Sequence, residues 1–153
     1  KAFVAVVVAA VPIALIYLVG VLTGAEGDAL AWILSAVLVL LGASVFALYG
    51  LVMGLAFRTE AAVSAASGLL VIMGFLGNIF IPLSGTMLAI ARFTPLYGYA
   101  ALARYPVTEG TVPTTDGTLL QEPLWYAVAN VGAWLTVLAL LATWLVRRGR
   151  DRQ

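Results

Sequence analysis

The chain has no cysteine and no histidine, and only 10% of its 153 residues are charged. Without cysteine there is no disulfide and no thiolate chemistry; without histidine the commonest general base and zinc or haem ligand is missing. Neither a Ser-His nor a Cys-His catalytic pair can be assembled. No GxxxxGK[ST] phosphate loop occurs, so the chain is not itself a P-loop ATPase. The long apolar runs contain no Asp, Glu, Lys or Arg between their ends, the groups that proton- and ion-coupled transporters use at mid-membrane. No inverted repeat is visible, which again argues against a self-powered secondary transporter.

What is present is apolar. Hydrophobic residues make up 63% of the chain and the mean hydropathy is +1.09, against about 45–50% apolar and about 25% charged in soluble domains. The apolar residues come in unbroken runs of about 20 or more, not in the alternation of a membrane barrel. The fold class expected is all-α: a polytopic helical membrane protein with four transmembrane helices and a re-entrant or interfacial helical segment, in one domain.

The runs place spans at Ala2–Thr23, Ala29–Phe57, Ala61–Ile81 and Pro123–Val146. The first is too long for a signal-peptide core and is kinked at Pro12; it follows Lys1 directly, with no initiating Met, so further residues are expected before it. The link Gly24–Asp28 is short and acidic. The second span exceeds what a bilayer core requires and must tilt or protrude. Small-xxx-small pairs at Gly20/Gly24 and Gly50/Gly54 suit close helix approach, as does the small first half of span three, from Ala61 to Gly68. Arg58-Thr59-Glu60 is a tight turn between spans two and three.

Between the last two spans lies the informative stretch. Residues 83–105 are apolar but broken by Pro95, with a short helix expected over Thr86–Phe93. Tyr97, Tyr99 and Tyr105 are placed as interfacial aromatics, and Arg92 and Arg104 as cations snorkelling to head groups. Residues 106–122 (PVTEGTVPTTDGTLLQE) are expected to form a solvent-exposed polar loop, with Glu109, Asp116 and Glu122 as solvated acids. The same acids are the one feature on which a membrane enzyme could be built, by acid–base chemistry or metal binding, although their spacing matches no ligand motif. Asn78, the lone strongly polar side chain deep in span three, fits a hydrogen bond to a neighbouring helix or a place on a substrate path. Asn130 lies within the last span, and residues 147–153 form a basic tail suited to anionic lipid head groups.

Lys1, Arg58, Arg147, Arg148, Arg150 and Arg152 fall on one side of the four spans, and Arg92 and Arg104 on the other. By the positive-inside rule both ends of this segment are cytoplasmic, in the plasma membrane, and the broken segment is external.

The order of these features resembles the C-terminal part of the membrane subunit of a type 2 ATP-binding-cassette (ABC) exporter. The residues that carry the resemblance are Tyr49-Gly50-Leu51 through Gly54-Leu55-Ala56-Phe57-Arg58, then Gly77-Asn78-Ile79-Phe80-Ile81-Pro82-Leu83, then Ile90-Ala91-Arg92-Phe93-Thr94-Pro95-Leu96-Tyr97. Gly85-Thr86-Met87 replaces the Leu-Pro step common in that family, and four spans stand where the family has six. The resemblance implies a fragment of a six-span permease that pairs with a second copy or a paralogue. It implies a separate P-loop ATPase subunit that binds the ATP, no cofactor in this chain, and outward movement of a lipid-like or amphipathic substrate. It places Arg58, Thr59 and Glu60 on the ATPase side and Phe75, Asn78 and Phe80 near the substrate path or outer gate. Membrane lipids are expected partners and nucleic acid is not. The alternatives are a non-transporting four-helix assembly or regulatory protein, and the membrane enzyme.

Overall fold

A computed structural model describes residues 2–25, 27–57 and 59–150, with side chains described from residue 7 except those of residues 9 and 150. Six helices and a small hairpin follow in the order α1 (Ala2–Leu22), α2 (Ala29–Ala56), α3 (Glu60–Leu76), α4 (Gly85–Ala91), α5 (Pro95–Thr108), β1 (Thr111–Pro113), β2 (Leu119–Gln121) and α6 (Leu124–Arg150). The protein is mostly helical. Among the described residues two helices, α2 and α6, are long and apolar enough to cross a membrane. Little of either is covered: Ile33, Leu41 and Leu51 of α2 and Leu140 and Trp144 of α6 all face outward. A soluble protein rarely exposes so continuous an apolar surface, and these two helices point to a membrane location.

The architecture is a wedge. Packing among α2, α5 and α6 dominates the tertiary contacts, and α1 leans on α2. In the second half of α2, Val45, Tyr49 and Val52 pack directly on Leu138 and Ala142 of α6, with Leu70 and Met73 of α3 alongside. The buried Tyr49 hydroxyl donates to the Ala66 carbonyl oxygen at 2.9 Å, tying α2 to α3. At the other end of the bundle α5 enters between α2 and α6 and spreads them. We call this the capped end; α3 finishes there and α6 begins there.

Two glycines make the wedge fit. A Cβ on Gly42 of α2 would collide with the ring of Tyr99, and one on Gly98 of α5 would collide with the side chain of Asn130 on α6. The flagged pairs behave differently: nothing lies close to Gly50 or Gly54, and Gly20 meets the ring of Trp32 rather than a helix backbone. The small first half of α3 is mostly exposed, with Ala66 its buried member. Small residues therefore mark close approach here only where a large side chain stands opposite.

The helix ends differ from expectation in three places. Helix α3 stops at Leu76, short of the predicted Ile81, because Gly77 caps it and Asn78 adopts a left-handed conformation (φ 54°) that turns the chain. The segment 106–122 is not an open loop. Helix α5 carries through Pro106 to Thr108, ends at left-handed Glu109, and gives way to the β1–β2 hairpin, paired antiparallel with Val112 opposite Leu120. Helix α6 continues beyond Val146 into the basic tail, where the Arg148 guanidinium lies 5.2 Å from the centre of the Trp144 ring.

Candidate functional site

The candidate site is the polar clasp that holds the broken helix α4–α5 in place. Pro95 forces the break. It stands at the first turn of α5, where its missing N–H costs nothing, but it cannot donate back to Ala91, and the chain bends over residues 92–94. Thr94 repairs part of the damage: its hydroxyl donates to the Ala91 oxygen at 2.7 Å and accepts from the Tyr97 amide at 3.4 Å, capping α5. The Arg92 carbonyl still needs donors, since an unpaired buried peptide group costs ~1–3 kcal/mol, and the carbonyl of the exposed Phe93 is freed beside it.

Helix α6 supplies them. Tyr126 and Asn130 both donate to the Arg92 oxygen at 2.7 Å, and the Trp134 indole donates to the Phe93 oxygen at 2.9 Å. These residues are four apart, so one face of a helix presents them in a row. On the opposite flank α2 receives α5: the Tyr99 hydroxyl donates to the Val39 oxygen and the Ser35 hydroxyl to the Ala103 oxygen, each at 2.7 Å.

Glu122 is the centre of charge. It lies 5% exposed between β2 and α6, and its Oε1 accepts from Arg92 Nε at 2.8 Å and from the fully buried Tyr97 hydroxyl at 2.6 Å. Burial, and then the bond to Glu122 and its charge, raise the Tyr97 pKa above its ordinary value. Tyr97 therefore keeps its proton and acts as a donor. Arg104 donates through Nε to the Ala100 oxygen at 3.1 Å and through Nη1 to the Asn78 oxygen at 2.9 Å. Burial lowers its pKa, with Tyr97 and Glu122 opposing the shift.

Asn78 joins this network. It is buried, and its Oδ1 accepts from the Leu83 amide at 2.7 Å, closing the turn after α3. Its Nδ2 points to the Pro113 oxygen at 3.5 Å, and Thr115 Oγ1 donates to the Pro82 oxygen at 2.6 Å, so the hairpin is bound to the same turn.

Several expectations are corrected by these contacts. Arg104 does not snorkel outward, since its guanidinium turns inward to protein partners; Arg92 pairs with Glu122 through Nε while its side chain stays 38% exposed. Tyr97 and Tyr99 likewise spend their hydroxyls inside the fold. Glu122 is not a solvated acid, whereas Glu109 and Asp116 are exposed. Among the described residues no three acids converge as a metal site, and Glu122 is separated in role from the other two by its ion pair.

The remaining predicted residues lie elsewhere. Phe75 and Phe80 meet edge to face, 5.0 Å between ring centres, on the outward side of the α3 end, with Phe80 close to Gly74. Asn78 does not join them but points into the clasp. At the opposite end Thr59 caps α3 by accepting from the Ala62 amide at 3.3 Å, and Glu60 is exposed beside it. Arg58 lies outside the described residues.

The clasp was missed because its acid and its cations are far apart in sequence. One signal was readable: a helix break at Pro95 demands carbonyl partners, and Tyr126, Asn130 and Trp134 are donors at helical spacing. Comparison with protein-family models, curated proteins and solved structures returned no match.

Proposed function

We propose that the chain is part of the permease subunit of an ATP-driven ABC exporter, moving a lipid-like or amphipathic substrate outward. In this proposal α1, α2, α3 and α6 cross the plasma membrane, both ends of the segment are cytoplasmic, and the capped end is external. The observation that carries it is the broken helix α4–α5, with α5 wedged between α2 and α6 and the carbonyls freed at the break accepting from α6 side chains. Irregular backbone at membrane depth is stable only when protein buries its polar groups, and the contacts to Arg92 and Phe93 meet that requirement. A broken helix so anchored can close the outer end of a pathway while the helices below it move.

Energy has to come from outside the chain, because neither a nucleotide loop nor an intramembrane charge is present in the apolar runs. The turn at Thr59 and Glu60, at the opposite end from the broken helix, is the place for a cytoplasmic P-loop ATPase. Thr59 and Glu60 are exposed there. Phe75 and Phe80, at the capped end, are placed beside the outer gate; Asn78 is given a supporting role.

The test is purification of the full-length protein from its native membrane in mild detergent, with the co-purifying chains assayed for ATP hydrolysis. A stoichiometric P-loop ATPase is expected, and its loss on changing Arg58 and Glu60 together assigns the contact. An intact preparation that carries no ATPase overturns the proposal in favour of a non-transporting membrane protein.

A further inference from the structure

Three buried polar atoms of the clasp have no protein partner: Asn130 Oδ1, and one atom on each of two residues that line one cavity. Arg104 Nη2 has no acceptor and Glu122 Oε2 has no donor, although Arg104 Nε and Nη1 and Glu122 Oε1 each have a partner. Both residues line a small cavity, together with Tyr105, Thr108, Thr111 and Ala101, with about 10 Å³ open to the centre of a water molecule. That is room for about one water. Glu122 is 5% exposed, so its second oxygen cannot be satisfied from bulk solvent.

The walls specify the occupant. An anion would suit Arg104 but face the Glu122 carboxylate; a cation would suit Glu122 but face the guanidinium. A neutral molecule that accepts one hydrogen bond and donates another meets both demands, and the volume limits it to water. We propose that this cavity is a site for a single ordered water, accepting from Arg104 Nη2 and donating to Glu122 Oε2.

The water closes the one gap in a polar chain. That chain runs from the turn after α3, at Asn78, through Arg104 to the water and Glu122, and on to Arg92 and Tyr97. It links the end of α3, both short helices and the start of α6 through groups that each have a defined partner. A buried water with this role is as much a part of the fold as a side chain.

The experiment is a structure of the full-length protein in lipid nanodiscs at a resolution that shows ordered waters, paired with water-edited NMR on arginine-labelled protein. The expected results are a density peak ~2.7–3.2 Å from both atoms and a cross-peak between water and the Arg104 Nη protons. In the cavity-filling variant Ala101→Val that cross-peak is lost. A direct Arg104–Glu122 bond with no peak between them overturns the proposal, as does native protein without the cross-peak. Persistence of the cross-peak in a folded Ala101→Val protein also overturns it, since the water would then sit elsewhere.

Discussion

Asn130 of α6 donates its side-chain amide to the backbone oxygen of Arg92 at 2.7 Å, while the Arg92 side chain reaches away to Glu122 at 2.8 Å. One residue is thus held twice, by its carbonyl from the long helix and by its guanidinium from Glu122, two residues before that helix begins. The break between α4 and α5 is fixed at this point, and the placement of the whole capped end depends on it.

Replacing Asn130 by Ala removes a donor from the Arg92 oxygen but leaves Tyr126 in place. The expected cost is ~1 kcal/mol, rising to ~1–3 kcal/mol when Tyr126→Phe is added and the carbonyl loses both hydroxyl and amide donors. Thermal unfolding of purified protein in lipid checks it, and simple additivity of the two changes would show that the donors act independently.

Gly42→Ala is expected to destabilise the protein by ~1–3 kcal/mol, because the new methyl group meets the Tyr99 ring across a packed interface. Gly50→Ala is the matched control, with open space around it in this chain. If Gly50→Ala proved the more damaging, a partner molecule would have to cover that face of α2.

Asn78 tests conformation against side chain. At φ 54°, Asn78→Gly keeps the turn cheap but loses the bond to the Leu83 amide, whereas Asn78→Ala loses the bond and adds left-handed strain of ~1 kcal/mol. Stability is expected to fall in the order Asn, Gly, Ala. A protein in which Ala is as stable as Gly would mean that residue 78 is not left-handed.

Tyr97 sets the alkaline behaviour. Its pKa in the fold lies above the ordinary 10.0, through burial first and the Glu122 bond second. Raising the pKa favours the protonated form in the folded state, so this contribution is complete below pH ~10 and is lost as pH climbs through the higher folded value. Ultraviolet titration of tyrosinate is expected to show a late-ionising group that disappears in Tyr97→Phe.

Much of the capped end was readable in the residues themselves. The run of residues 83–105 is apolar, yet Pro95 cannot continue a helix, and two short helices stand there. Asn130 was visible as a polar residue within the last apolar run. Glu122, Arg92 and Arg104 were not readable as partners. A charge near an apolar segment looks the same whether it snorkels or turns inward, and the choice rests on which groups other elements bring within reach.

The sequence by itself determined that the protein is mostly helical, with helices long and apolar enough to cross a membrane. Runs of apolar residues without charge are stable as helices in hydrocarbon because each helix satisfies its own backbone, and nothing distant is needed to reach that conclusion. Local chemistry also dictated the break at Pro95. Only the tertiary structure decided that Gly42 and Gly98 matter and Gly50 does not, since a glycine's value depends on the side chain opposite it. It alone decided that Glu122 is a buried hub, because a carboxylate can leave water only where a cation and donors from other segments are already in place.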